Sequence, residues 1–298
     1  MCDGRLGKLT RSSLSRRHFL RLAAGLGGVG LAGFAADRAL VEPHRPVVER
    51  VEVVLRRLPK ELDGLSIAQL SDLHYESPAS AGVIRTAVQI VNGLAPDVVV
   101  LTGDYVTLYP FQSRLRVAED SKPCAQVLRD LHAPMGVFGV LGNHDYRSDP
   151  DLITRSLEAH GVTILRNFNM RIEKSGVRLW IAGVDDVLEG GARLDKALRG
   201  IPRDGVTVLL AHEPDYADSV ASYAVDLQLS GHSHGGQVYL PLVGSPVLPR
   251  LARKYPRGLR NVGGLKLYTN RGLGTVVLPV RFNCPPEVTL LTLRTRSA

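Results

Sequence analysis

Five short apolar segments of this 298-residue chain each end on residues that commonly bind metal ions. Their endings are Asp72-Leu73-His74, Gly103-Asp104, Gly142-Asn143-His144-Asp145, His212 and Gly231-His232-Ser233-His234. One such motif is common in ordinary loops, but these endings contain five of the nine histidines of the chain. Side chains that follow the carboxyl ends of strands lie together at one edge of a sheet, so the series predicts a single site.

The rest of the chain alternates between strand and helix patterns. Strands are predicted at 47–55, 66–70, 97–101, 136–141, 162–165, 171–174, 177–182, 207–211, 225–229, 265–269 and 288–293. Helices are predicted at 83–94, 124–131 and 151–160, while 105–123 and 240–264 read as irregular excursions. This mixture with short connections predicts a layered α/β (α+β) fold, in which two packed mixed β-sheets are flanked by helices, over residues 47–298.

The net charge of +8 is concentrated at the N-terminus. Seven basic and two acidic residues fall within residues 1–38, so this segment supplies five of the eight net charges. The remaining chain is only mildly basic, and aromatic residues make up 5% of the whole. The sequence therefore predicts no nucleic-acid partner.

The N-terminal segment is typical of an export signal. Ser15-Arg16-Arg17-His18-Phe19-Leu20 is a twin-arginine motif, and a weakly apolar, glycine-rich run follows at 22–36. The run is shorter than the roughly 20 apolar residues of a membrane span. We predict that residues 1–36 are a twin-arginine signal, or a membrane anchor if uncleaved, and that the export machinery delivers the protein to the periplasm or cell envelope. The alternative is a basic, amphipathic first helix.

The types of residue at the five endings indicate which ions the site would bind. Asp, Asn and His side chains suit Mn, Fe or Zn. In Asp72-Leu73-His74 and His232-Ser233-His234, alternate residues of an extended chain point to the same side.

The order of the five motifs resembles that of the calcineurin-like metallophosphoesterases over about residues 65–236. Segments 270–274 and 279–287 resemble the C-terminal signature of the exported YkuE/YaeI-like branch. The resemblance implies that Asp72, His74 and His234 hold one metal ion, that Asn143, His212 and His232 hold a second, and that Asp104 bridges the two. It also implies that His144 is catalytic, either donating a proton to the leaving oxygen or stabilising the transition state.

The chemistry that this implies is metal-dependent hydrolysis of phosphoric esters. Two cations about 3.5–4 Å apart neutralise the phosphate oxygens and make a hydroxide available at neutral pH. We expect two divalent ions, with Mn preferred over Zn or Fe, and phosphodiester or pyrophosphate substrates that are lipid- or envelope-linked. One alternative is an enzyme of lipid A synthesis similar to UDP-2,3-diacylglucosamine pyrophosphatases. Another, of a different class, is a non-catalytic envelope protein that binds metal and phosphate.

Several further residues have two interpretations. Many family members carry an acid where this chain has Thr107, so either Asp145 orients His144 or that histidine has less support. Arg147 and Arg271 are candidate substrate-binding residues, although Arg271 and Arg281 more readily brace the C-terminal loop. Residues 240–257 combine apolar and basic side chains, which suits a membrane surface or a loop packed on the core with a basic rim.

Overall fold

The computed structural model describes residues 15–37 and 41–296. One six-stranded sheet contains, in spatial order, β1 (Val47–Leu55), β12 (Glu287–Thr295), β2 (Ser66–Leu70), β3 (Val98–Leu101), β4 (Val137–Gly139) and β5 (Thr163–Ile164). Only the β12–β2 pair is antiparallel among these described strands.

A second six-stranded sheet contains β10 (Gly258–Val262), β11 (Leu265–Thr269), β9 (Leu227–Ser230), β8 (Val206–Leu210), β7 (Val177–Gly183) and β6 (Phe168–Lys174). The two outer pairs, β10–β11 and β7–β6, are antiparallel, and the inner pairs are parallel. Both sheets are therefore mixed, as the strand pattern predicted.

The α-helices of the described chain are α1 (Arg16–Ala36), α2 (Pro78–Leu94), α3 (Arg114–Glu119), α4 (Ser121–Leu128), α5 (Asn143–Ser148), α6 (Pro150–Glu158), α7 (Leu194–Ala197) and α8 (Ala217–Val220). Helices α2, α4 and α6 pack on the outer face of the first sheet and α7 and α8 on that of the second. Ser77 is the N-cap of α2 and forms a capping box with Ser80. The helix ends before Ala95, which has a left-handed backbone conformation.

The core lies in three layers that follow from the alternation of side chains along the strands. In β3, Val98 and Val100 pack between the sheets, whereas Val99 and Leu101 pack under the helices of the first sheet. All four side chains are buried, so the strand is apolar throughout. A third cluster joins the second sheet to α7 and α8. The predicted fold class, two packed mixed sheets flanked by helices, is confirmed.

Two stretches predicted to be irregular contain regular structure. Helix α3 lies within 105–123, and β10 lies within 240–264. Strand β10 forms a hairpin with β11, in which Val262 pairs with Leu265 across the two glycines Gly263 and Gly264. The prediction was wrong here because β10 is an edge strand with polar side chains at Arg260 and Asn261, so it lacks the apolar pattern of the inner strands.

The N-terminal segment forms α1 from Arg16, with the Ser15 side chain accepting a hydrogen bond from the His18 N–H. Near its other end, the Phe34 ring meets the Phe282 ring edge to face, with centroids 5.7 Å apart. Residues 1–14 of the predicted leader lie outside the described residues. Among those that are described, no helix combines the length and apolar composition that a membrane span requires.

Candidate metal centre

The loops that follow five strands meet at one end of the two packed sheets. Strands β2, β3 and β4 are parallel neighbours in one sheet, and β8 and β9 are parallel neighbours in the other. Their carboxyl ends are followed by candidate ligands that form three groups, with potential ligand atoms within 4.8 Å of one another in each group: Asp72, His74 and His234; His74, Asp104 and His144; Asp104, His212 and His232.

The first group is built from β2 and β9. His234 Nε2 lies 3.3 Å from Asp72 Oδ1 and 3.1 Å from His74 Nε2. The Asp72 carboxylate also accepts hydrogen bonds from the backbone N–H of His232, 3.0 Å from each oxygen. One carboxylate thus contacts the loop from the opposite sheet and fixes the two loops relative to each other.

The group made of Asp104, His212 and His232 centres on Asp104, which follows β3. Its Oδ2 lies 3.1 Å from His212 Nε2 and 3.7 Å from His74 Nε2, so it touches both groups. His232 Nδ1 lies 3.2 Å from His212 Nε2. Asn143 shares with Asp104 and His232 the lining of the cavity at this end of the fold.

Hydrogen bonds to backbone carbonyls orient two of the imidazoles. His212 Nδ1 lies 2.7 Å from the Thr102 carbonyl oxygen, and His232 Nε2 lies 2.9 Å from that of Arg250. A carbonyl oxygen only accepts, so these nitrogens carry a proton, and in the neutral ring the opposite nitrogen keeps its lone pair. In this way each ring presents to the centre the nitrogen that can bind a cation.

The backbone at these endings turns sharply. Asp72, His74, Asp104, His232 and His234 all have φ between 46° and 65° in the left-handed region, which non-glycine residues seldom adopt. Glycines leave the space that these turns need. A Cβ at Gly231 would overlap the Ser71 hydroxyl and the Asp72 carboxylate, and one at Gly142 would overlap Asp104. The crowding therefore requires glycine beside the ligands.

The protonation states at the centre fit a cation site. Burial lowers the pKa of His74 to about 3 and that of His232 to about 4, so both imidazoles are neutral at pH 7. Burial raises the pKa of Asp72 to about 6, which leaves it mostly ionised at pH 7. Burial also opposes charge on Asp104, but the neighbouring His212 lowers the pKa of that carboxyl well below its ordinary value.

Nine buried side-chain polar atoms of the described chain lack a hydrogen-bond partner within it, and one of them, Asn143 Oδ1, belongs to a residue that lines the cavity with Asp104 and His232. Buried polar groups are almost always paired, so an unpaired amide oxygen on a residue at this cavity indicates a further ligand. Together with the neutral imidazoles of His74 and His232 and the ionised carboxylates, this donor set suits Mn, Fe or Zn. The residues present therefore fit a divalent metal centre.

His144 stands beside the ligands at the start of α5. Its ring meets the His74 ring edge to face, with centroids 5.1 Å apart, and it lines the same cavity. Its Nδ1 accepts a hydrogen bond of 2.9 Å from the backbone N–H of Leu108. The neutral ring therefore carries its proton on Nε2.

Asp145 does not orient that ring. Its Oδ1 accepts from the backbone N–H groups of Tyr105 (2.9 Å) and Val106 (3.2 Å), and its Oδ2 accepts from Gly142 (2.9 Å). Thr107 has a different role, because its hydroxyl lies 3.0 Å from His74 Nδ1. Of the two alternatives left open by the sequence, support from Asp145 is wrong, and the support comes instead from a backbone amide.

The two arginines considered for substrate binding are paired with acids. Arg147 Nε donates to Glu189 at 2.6 Å, and Arg271 donates to Glu287 at 2.5 Å and to Glu49 at 2.6 Å. In the described chain, neither side chain is among the residues lining the cavity above the ligands. Substrate contact by either residue stays a prediction.

Arg281 braces the centre from behind. It is fully buried and donates to the carbonyl oxygens of Cys284 (3.0 Å), Arg271 (3.1 Å), Gly272 (3.1 Å) and Gly274 (2.5 Å). The N–H of Gly274 in turn donates to the Asp72 carbonyl at 2.7 Å. The favoured interpretation of Arg281 as a brace agrees with these contacts.

Residues 65–236 match the family described as calcineurin-like phosphoesterase. Over 294 residues the chain is 34% identical to the "Uncharacterized metallophosphoesterase YkuE" of Bacillus subtilis, covering 94% of this chain and 98% of that protein. It is 31% identical over 287 residues to "Phosphodiesterase YaeI" of Escherichia coli, covering 94% and 99%. It is also 31% identical over 314 residues to a "Transmembrane protein with metallophosphoesterase domain" of Danio rerio, covering 98% and 68%. The resemblance predicted from the motifs is confirmed.

Proposed function

Since the chain belongs to the calcineurin-like phosphoesterase family and is a metal-dependent phosphoester hydrolase, we propose that it hydrolyses phosphodiesters or pyrophosphates at a binuclear metal centre. The observation that carries the proposal is the convergence of Asp and His side chains from five loops into groups of potential ligands, of which Asp104, His232 and His234 line one cavity together with Asn143. The relative named a phosphodiesterase supports diesters as the substrate class.

We assign one cation to Asp72, His74 and His234 and the other to Asn143, His212 and His232, with Asp104 shared. The central position of Asp104 Oδ2 between His212 and His74 supports the shared role. The unpaired Asn143 Oδ1 supports the inclusion of that residue. His234 is included because its Nε2 lies 3.3 Å from Asp72 Oδ1 and 3.1 Å from His74 Nε2. When bound, two divalent cations supply the positive charge that neutralises phosphate oxygens and favours formation of the hydroxide nucleophile. We expect these ions to be Mn.

His144 is the proposed catalytic residue. With Nδ1 held by the Leu108 N–H, the neutral imidazole has its Nε2–H free to donate a hydrogen bond within the cavity. Full transfer of that proton would leave an imidazolate. The contact therefore favours stabilisation of developing charge on the phosphoryl or leaving oxygen over complete proton donation.

We propose that the enzyme works in the cell envelope after twin-arginine export. The twin-arginine motif at the start of α1 supports this location. A substrate in the envelope would be lipid- or envelope-linked, and the basic, apolar segment 240–257 is the proposed membrane contact.

The test is hydrolysis of bis(p-nitrophenyl) phosphate by the full chain after its metal is stripped and Mn is titrated back. We expect turnover that rises with Mn to about two ions per chain. Asp104→Asn, which keeps the shape of the shared ligand, should bind less metal and lose turnover. Metal binding at full stoichiometry without turnover of any ester would favour the non-catalytic alternative. Recovery with Zn but not with Mn would overturn the choice of metal.

A further inference from the structure

An apolar cavity of about 540 Å³ opens above the candidate ligands. Its floor includes Asp104, Asn143, His144, His232 and His234. Its walls include the apolar side chains of Val238, Val247, Val276, Val277, Leu278 and Val280. The volume falls in the range of about 300–1,000 Å³ that is usual for small-molecule sites. A phosphate at the floor would thus have hydrocarbon rather than charged side chains around its substituent.

The walls continue into an exposed apolar rim, defined here as residues 240–249 and 276–280. Its side chains are highly exposed: Leu242 107%, Val243 73%, Val247 75%, Val277 78% and Leu278 64%. Leu242 stands at the tip of a tight turn closed by hydrogen bonds between Leu240 and Gly244. Contiguous exposed apolar side chains at the mouth of a cavity mark a binding surface.

A β-bridge and side-chain hydrogen bonds connect the two segments of the rim. Val238 and Phe282 form a β-bridge at their base. The Gln237 side chain accepts a hydrogen bond from the Val276 N–H (2.5 Å) and donates one to the Leu278 carbonyl (3.2 Å). The rim therefore presents its apolar side chains from a supported framework.

Cations lie beside this rim without acids in the same segment. Residues 240–257 contain Arg250, Arg253, Lys254 and Arg257 but no Asp or Glu. Lys254 pairs with Asp218, whereas the Arg250 side chain is exposed at the end of the rim. The Arg250 carbonyl oxygen forms the hydrogen bond with His232 Nε2. An apolar tip followed by basic side chains is complementary to a bilayer surface with anionic headgroups.

We propose that the cavity accepts the hydrocarbon chain of an amphiphilic phosphate ester, which the enzyme takes from an anionic bilayer surface into which the rim inserts. This inference rests on the proposed phosphodiesterase function and specifies its substrate class. The phosphate group occupies the floor and the chain lies along the valine and leucine walls. The oxygen of water bonds to the phosphorus and the bond from phosphorus to the leaving oxygen breaks. The leaving oxygen departs as an alcohol with one proton of the water, the other proton passes to solvent, and the second product is the chain-bearing phosphate monoester.

The first test compares two p-nitrophenyl phosphodiesters that differ only in their second substituent, methyl or octyl. Both release p-nitrophenolate, so the chemical step is matched. The full Mn-loaded chain should hydrolyse the octyl ester with a kcat/KM at least about tenfold higher, because each buried methylene favours binding. In Val247→Ser/Val277→Ser this ratio should fall below about threefold.

Turnover of both esters with a ratio near one would overturn the inference and leave the proposed function standing. An unchanged ratio in the double variant would equally overturn the assignment of the cavity. Turnover of neither ester in metal-loaded protein would overturn the proposed function itself, and the inference with it.

The second test measures flotation of the full chain with phosphatidylcholine vesicles, with and without phosphatidylglycerol. Binding should require the anionic lipid and should fall at least about threefold in Leu242→Ser/Val243→Ser. The matched control is Phe168→Ser/Met170→Ser, which removes two exposed apolar side chains from edge strand β6 and should bind like the native protein. Equal binding by the rim variant would refute membrane insertion. A dimer that the rim variant dissociates, with vesicle binding intact, would identify a second copy as the occupant instead.

Discussion

Thr107 and Leu108 orient two neighbouring histidines through adjacent positions of one loop. The Thr107 hydroxyl contacts His74 Nδ1, and the Leu108 N–H contacts His144 Nδ1. These contacts hold the Nδ1 atom of each ring, and the two rings lie nearly perpendicular to each other. One loop therefore orients both a proposed metal ligand and the proposed catalytic residue.

His144→Ala should lower kcat for bis(p-nitrophenyl) phosphate by about 10²–10⁴-fold, because the hydrogen bond to the reacting oxygens is lost. Metal content should stay at that of the native protein, since His144 is not among the assigned ligands. Steady-state kinetics and metal analysis check both parts. His160→Ala, at the end of α6, is the matched control. A native rate in His144→Ala would exclude the catalytic role.

Arg281→Met should lower the free energy of unfolding by at least about 3 kcal/mol, because four carbonyl oxygens lose a buried donor. Urea denaturation measures the change. The control Arg147→Met removes a surface ion pair with Glu189 and should cost at most about 1 kcal/mol. Equal losses in the two variants would contradict the bracing role.

At the scale of elements, the site depends on how closely the strand-end loops approach one another. Gly231 follows β9 and lies against Ser71 and Asp72, which follow β2 in the opposite sheet. The hydrogen bond from the Gly231 N–H to the His212 carbonyl (3.0 Å) also ties β9 to β8. Displacement of this one loop would move ligands from both groups.

Gly231→Ala should weaken metal binding by on the order of tenfold or more, because its Cβ would push the Asp72 carboxylate from its position. Gly93→Ala is the control. Gly93 lies on the exposed side of α2 with no atom within 4 Å of an added Cβ, so this change should stabilise the protein by about 0.5–1 kcal/mol. Calorimetric titration with metal measures the affinity of both variants. Native affinity in Gly231→Ala would show that the loop tolerates displacement.

For the whole molecule, the centre joins the two sheets. Ligands after β2, β3 and β4 come from one sheet and those after β8 and β9 from the other, so bound metal would link the two halves. The buried valines and leucines between the sheets provide the remaining contact. Metal binding and global stability should therefore be coupled.

Chelation should lower the melting temperature by about 8–16 °C, since metal at a thousandfold excess over Kd contributes about 4 kcal/mol. Differential scanning fluorimetry with EDTA, followed by excess Mn, measures the loss and its recovery. The melting temperature of Asp104→Asn should be close to that of the chelated native protein and should change little with EDTA. An identical melting temperature with and without metal would contradict the coupling.

The sequence by itself determined the mixed two-sheet class, because inner strands such as β3 are apolar on both faces and leave a clear pattern. It also placed seven candidate ligands directly after strands, since parallel neighbours bring their carboxyl ends to one edge. The tertiary structure decided which groups support them. Every residue except proline has the same backbone N–H and carbonyl, so no pattern could single out the amide of Leu108 or the carbonyl of Arg250. The apolar cavity likewise depends on two segments that are distant in sequence, and only their packing places Val247 and Val277 around the same floor.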